Sequence, residues 1–131
     1  NTVNPLVILS MLYTLEWIKE KGGVTEMEKL ARIRTGLLYE AIRASDGFYE
    51  GLAAVGSESN VNVTFRLRDE KLRIPFLELC TKAGFVGIKG HAGATQRYGA
   101  HIRISCYVGA TADEVALFVD MMSLFRNLRQ S

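Results

Sequence analysis

Val61-Asn62-Val63-Thr64-Phe65-Arg66-Leu67-Arg68 alternates without a break, with Val61, Val63, Phe65 and Leu67 on one side and Asn62, Thr64, Arg66 and Arg68 on the other. A period of two over such a run is the pattern of a strand with one buried and one wet face. Its apolar face needs a cover, and the flanking segments carry the helical period that supplies one. Upstream, Thr25-Glu26-Met27-Glu28 has the Thr-x-x-Glu form of a capping box, and Met27, Leu30, Ile33, Leu37, Leu38, Ala41 and Ile42 follow at helical spacing, predicting a helix over about 26–44. Downstream, 69–83 is helical in pattern, with Leu72, Phe76, Leu79, Cys80 and Ala83 on one side and Gly84 at its end. Pro75 either delays the start of that helix or kinks it, because its ring clashes with the preceding turn and it donates no hydrogen bond.

Working outward, Asn4-Pro5 is a helix opening and Gly22-Gly23 a helix ending, so a helix spans about 5–21. Val7, Ile8, Met11, Leu12, Leu15 and Ile18 form its stripe, but Leu6, Leu9 and Trp17 fall off it, and a helix apolar nearly all round is covered on more than one side. In a domain this small the second cover is another domain or subunit. Ser45-Asp46-Gly47 is turn chemistry, Phe48-Tyr49 with Leu52 reads as a short strand, and 85–89 as another. A strand over 102–108 alternates Ile102, Ile104 and Cys106 against Arg103 and Ser105. Thr111-Ala112-Asp113-Glu114 is a second capping box, and the last helix carries Val115, Phe118, Val119, Met122, Phe125 and Leu128 at regular spacing, with Arg126 and Arg129 complementing its dipole. This order predicts an α+β fold over 1–131: a small antiparallel or mixed sheet with helices packed on one face.

Composition narrows the function classes. The 131 residues, 48% hydrophobic, suit one domain with a sizeable core. Sixteen basic against fourteen acidic residues leave a formal charge of +2 without basic runs, so no nucleic-acid surface is indicated. Cys80 and Cys106 lie in apolar patterns without ligand spacing and read as buried thiols of a reducing cytoplasm, not as a disulfide or metal centre. The apolar run at 6–12 is too short to span a bilayer and has no basic flank, so neither a membrane segment nor a signal peptide is expected. A start at Asn1 that enters helical pattern almost at once reads as a piece of something longer. There is no G-x-G-x-x-G, Walker, G-x-S-x-G or H-E-x-x-H motif.

The stretch 89–107 looks most like a site. Its first half is glycine- and alanine-rich loop and its second half is strand, with Arg97 and Arg103 six residues apart, so a loop folded over the strand presents two guanidiniums to one dianionic small molecule. The alternative is a solvated Arg97 and an Arg103 on the wet face of a half-buried strand. His91 and His101 have no visible partner in the pattern and read as polar surface or hydrogen-bonded residues before acid/base groups.

Four segments, 15–23 (Leu-Glu-Trp-Ile-Lys-Glu-Lys-Gly-Gly), 45–49 (Ser-Asp-Gly-Phe-Tyr), 62–67 and 84–91 (Gly-Phe-Val-Gly-Ile-Lys-Gly-His), resemble in order and spacing the C-terminal portion of phosphoserine aminotransferases. The resemblance covers essentially the whole chain. It implies the small domain of a fold-type-I, class V, pyridoxal-phosphate-dependent enzyme, with 1–22 the long helix linking to a missing large domain. The implied enzyme is a cytoplasmic homodimer of serine biosynthesis that converts 3-phosphohydroxypyruvate and glutamate to phosphoserine and 2-oxoglutarate. Asn1-Thr2 match the family's Asn-Thr pair, which reaches the cofactor phosphate of the neighbouring subunit, with Val3 where the family usually has proline.

The family's substrate loop, Gly-His-Arg-Ser-Val-Gly-Gly-x-Arg-Ala-Ser, assigns Arg103 to the substrate α-carboxylate, and His91 and Arg97 to its phosphate or side-chain carboxylate. Here Ala92 to Gln96 separate His91 from Arg97, adjacent in the family, and His101 replaces a glycine. The Schiff-base lysine lies upstream in the family; Lys19, Lys21, Lys29, Lys71, Lys82 and Lys89 do not match its context, so the chain alone is expected to bind little cofactor and not to transaminate. The rival readings are a stand-alone small-anion-binding module and a purely structural or dimerising domain.

Overall fold

The computed structural model describes residues 4–88, 90 and 101–130. Helix α1 (Pro5–Glu20) is opened by the Asn4 side chain, which accepts a hydrogen bond from the Leu6 amide at 3.1 Å. Helix α2 (Gly23–Arg43) follows almost without a loop, because left-handed Gly22 (φ 104°) reverses the chain at once. The capping box expected at Thr25 therefore does not form. Thr25 lies inside the first turn, and Glu28 pairs instead with Arg32 one turn on, at 2.7 Å.

Strands β1 (Tyr49–Gly51), β2 (Asn62–Leu67) and β3 (Ile102–Ser105) form an antiparallel sheet in the order β1-β2-β3. A 3₁₀ turn (Glu70–Leu72) leads into α3 (Arg73–Lys82), so Pro75 stands in the first turn of a helix that starts late. Helix α4 (Ala112–Gln130) closes the chain, and its predicted capping box is present: Glu114 accepts from the Thr111 amide at 2.7 Å while the Thr111 hydroxyl accepts from the Glu114 amide at 3.2 Å.

The strand expected over 85–89 is absent among the described residues 85–88. The end of α3 explains why. The Phe85 amide bonds back to the Cys80 carbonyl at 2.9 Å and the Gly84 amide to the Thr81 carbonyl at 3.1 Å, a Schellman closure that requires the left-handed conformation Gly84 adopts (φ 87°). Phe85 is thereby turned onto Phe118, with ring centroids 5.1 Å apart, instead of entering the sheet.

The core lies between one sheet face and the helices. Val63, Phe65 and Leu67 of β2, with Tyr49 and Ile102, meet Leu38 and Ile42 of α2, Phe76 and Cys80 of α3, and Phe118, Met122 and Phe125 of α4. Phe76 is the hub, fully buried, with its ring centroid 5.1 Å from Phe125 and 5.8 Å from Tyr49. The Tyr49 hydroxyl donates to the Met122 carbonyl at 2.9 Å, and Arg126 donates to the Ala44 carbonyl at 2.8 Å, so the dipole that Arg126 complements is that of α2. Arg129 lies over the Phe125 ring, 5.3 Å from its centroid.

Two expected stripes differ. On α2, Ile33 is 45% exposed while Arg34 is only 5% exposed, so the buried face of the helix runs through Arg34, Thr35, Leu38 and Ile42. On α1 no residue is buried: Leu6 is 71% exposed, and Val7, Ile8 and Met11 are similarly open. Among the described residues the helix packs chiefly against α2.

Candidate functional site

The site is built on the sheet face turned away from the helices. Because Val63, Phe65 and Leu67 point into the core, Asn62, Thr64 and Arg66 point out, and the register sets Asn62 opposite Ser105 and Thr64 opposite Arg103. Arg103 thus stands beside Ser105 on the outer face, as the alternation predicts, while Ile102 is fully buried and Ile104 is half-buried at the sheet edge. The Ser105 hydroxyl donates to the Asn62 side-chain carbonyl at 2.9 Å.

Charge on this face divides into a closed part and an open part. Glu50 accepts from Arg66 at 2.8 Å and from Arg68 at 3.3 Å, and these two bonds, Arg66's first, hold its carboxyl below the usual range. Arg103 has no acidic partner among the described residues, and its Nε is shielded from solvent without an acceptor. An uncommitted guanidinium beside an already neutralised carboxylate has the chemistry of an anion receptor: its planar fork matches a carboxylate, and among the described residues no acidic side chain of the face pairs with it.

Among the described residues strand β3 is at the edge of the sheet, and a cavity of about 360 Å³ runs along it between 84–88 and the start of α4. Phe85, Ile104, Val115 and Phe118 line it together with Arg103. Its carboxylate, Glu114, is spent on the α4 cap, whose bond from the Thr111 amide lowers its pKa. The cavity is therefore apolar packing space beside the receptor and carries no acid/base pair.

His101, expected as a polar surface or hydrogen-bonded residue, is buried at 3% exposure and has a partner. Gly90 donates to its carbonyl at 3.2 Å, and a side chain at Gly90 would collide with both the imidazole and that carbonyl. His101 thus ties the stretch that precedes β3 to Gly90, and it is not an exposed acid/base group. Both thiols are free and buried as expected; burial pushes Cys80 up to about 11 and also raises Cys106, against the opposing charge of Arg34.

Of the remaining expected site residues, Asn1, Thr2, His91 and Arg97 lie outside the described residues. Lys19, Lys21, Lys29, Lys71 and Lys82 are all exposed, so the described residues hold no enclosed lysine that fits pyridoxal phosphate. No cluster of three metal-ligating side chains occurs among them, and none of the described helices is long and apolar enough to cross a membrane. Asn62 and Thr64 were legible only as the wet side of β2. Their place beside Arg103 follows from strand register, which no local spacing encodes.

No protein-family model matches the chain. It is 41% identical over 127 residues to the phosphoserine aminotransferase of Shouchella clausii (strain KSM-K16), covering 97% of this chain and 34% of that protein. To the phosphoserine aminotransferase of Niallia circulans it is 35% identical over 129 residues, covering 98% of this chain and 34% of the relative. In structure it superposes on the phosphoserine aminotransferase of Bacillus circulans subsp. alkalophilus with a TM-score of 0.91 at 34% identity, over 98% of this chain and 34% of that one. Against the PLP-bound phosphoserine aminotransferase of Trichomonas vaginalis the TM-score is 0.82 at 25% identity, over 94% of this chain and 34% of that one. Sequence and fold agree along almost the full length: the chain is a phosphoserine aminotransferase homologue that spans about a third, 34%, of the relatives it matches.

Proposed function

We propose that the chain is the C-terminal small domain of a pyridoxal-phosphate-dependent transaminase that converts 3-phosphohydroxypyruvate and glutamate to phosphoserine and 2-oxoglutarate, and that Arg103 receives the α-carboxylate both amino acids share. The observation that carries this is the guanidinium of Arg103, uncommitted among the described residues, on the sheet face turned away from the helices, in a fold superposing on a phosphoserine aminotransferase at a TM-score of 0.91. His91 and Arg97 take the phosphate or side-chain carboxylate, and Asn1-Thr2 the cofactor phosphate, by resemblance to the family. The described residues supply no lysine for the cofactor, so no chemical step through it is assigned to them; their part is to bind and orient the substrate's anionic groups. Helix α1 (Pro5–Glu20) links this domain to the large one, and its apolar surface packs there or on the second subunit of a cytoplasmic homodimer.

The test is transamination by the complete protein, with glutamate as donor and 3-phosphohydroxypyruvate as acceptor, before and after Arg103→Lys. A charge-assisted bond is worth roughly 1.5–3 kcal/mol, so kcat/KM is expected to fall by about one to two decades for both amino-acid substrates. Unchanged efficiency in a folded Arg103→Lys protein would make Arg103 an ordinary surface residue.

A further inference from the structure

We propose that Asn62 and Thr64 of β2 complete the anion receptor, so that the carboxylate held by Arg103 also accepts hydrogen bonds from the Asn62 side-chain amide and the Thr64 hydroxyl. This rests on the reading of Arg103 given above and adds two residues to it. The geometry comes from the ladder. The Cys106 amide bonds to the Val61 carbonyl at 2.7 Å, and the Thr64 carbonyl is turned the other way, accepting from Leu52 of the β1 side at 3.1 Å. Alternation along the ladder therefore makes Asn62 opposite Ser105, and Thr64 opposite Arg103, the two non-hydrogen-bonded pairs, the class in which facing side chains approach most closely.

The donors are also of the right kind. The Ser105 hydroxyl occupies the Asn62 carbonyl oxygen at 2.9 Å, which orients the amide and leaves its two N–H groups to donate. The Thr64 hydroxyl makes no hydrogen bond among the described residues, and neither does Arg103. Arg66 and Arg68 saturate the nearby carboxylate of Glu50. Three uncommitted donor groups thus share one patch of sheet with no acidic side chain free to meet them. Their complement is a small anion with two or more oxygens, and a carboxylate lying across the two strands satisfies the guanidinium fork and the two neutral donors together.

The experiment uses the complete protein and reads KM for L-glutamate separately from kcat, with melting temperature as the folding control. Thr64→Val keeps the shape and the strand preference and removes the hydroxyl; KM is expected to rise about two- to tenfold, the range of one neutral hydrogen bond. Asn62→Asp replaces a donor by a negative charge facing the carboxylate, and KM is expected to rise more than about tenfold, with part of the loss recovered at high salt as the repulsion is screened. If Asn62→Asp does not fold, Thr64→Val decides alone. Melting temperatures that move while KM stays within about twofold in these variants, alongside an Arg103→Lys that loses a decade, would sink the three-residue receptor and leave the reading of Arg103 standing. An Arg103→Lys that loses nothing overturns both.

Discussion

Replacing Phe76 by alanine tests whether the helix layer is organised as described. The ring is fully buried and meets Tyr49, Phe65, Phe118 and Phe125, with centroids between 5.1 and 6.3 Å away in edge or tilted geometry. Truncation removes the transfer energy of a benzyl group and opens a cavity among four rings that cannot all collapse into it, which costs about 3–5 kcal/mol. Edge-on aromatic pairs add about 0.5–1.5 kcal/mol each, pushing the value to the upper end of that range. Against a typical total of about 5–15 kcal/mol this is a large fraction of the stability. Urea unfolding followed by far-ultraviolet circular dichroism should show the midpoint falling by about 1.5–3 M at unchanged slope, for a slope near 1.5–2 kcal/mol/M. Leu128→Ala, at a site 63% exposed, should stay within about 0.5 kcal/mol. If the alanine variant does not fold, Phe76→Leu should cost roughly 1–2 kcal/mol. A loss below about 1 kcal/mol for Phe76→Ala, with the slope unchanged, would mean that Phe76 is not the hub.

Two further outcomes follow from burial. Cys80, Cys106, Tyr39 and Tyr49 all have pKa values raised, in each case chiefly by burial, with Cys80 reaching about 11. The unfolded chain therefore releases these protons first, so stability is complete below about pH 8.5 and falls as pH rises through the thiol and then the phenol range; a melting temperature constant from pH 8 to 11 would contradict it. The isolated chain should self-associate through α1, whose Leu6, Val7 and Met11 are more than half exposed, and Leu6→Glu with Met11→Glu should lower the association measured by sedimentation. A monodisperse monomer at high concentration would show that α1 needs no cover.

What the sequence made legible was local. The unbroken alternation of 61–68, the Thr111–Glu114 box, and Asn4 before Pro5 each contain in a few residues the reason for the element they make. Where reading failed, the decision lay elsewhere. Phe85 looked like the start of a strand, but the Schellman closure at Gly84 commits its amide to Cys80 before any partner strand is met. Thr25 looked like a cap, but Gly22 had already turned the chain into α2. Arg34 reads as polar by residue type yet lies on the buried face of α2. The candidate site divides in the same way: Arg103 is legible as the polar step of an alternating strand, whereas its pairing with Thr64 depends on a register between segments about forty residues apart.

Two surfaces are left without partners among the described residues, the apolar one of α1 and the donor-bearing outer face of the sheet, and their difference bears on function. Helix α1 packs on α2, which belongs to the helix layer, while Arg103, Thr64 and Asn62 stand on the sheet face that the helix layer does not cover. The two surfaces belong to different elements, so a body that covers the apolar surface of α1 need not engage Arg103, Thr64 or Asn62. The chemistry of the two surfaces differs accordingly: α1 offers apolar area, which holds a partner without direction, and the sheet face offers fixed donors, which hold a small anion in one orientation. A substrate-binding domain of a larger enzyme needs both, attachment on one side and an oriented, uncommitted guanidinium on the other.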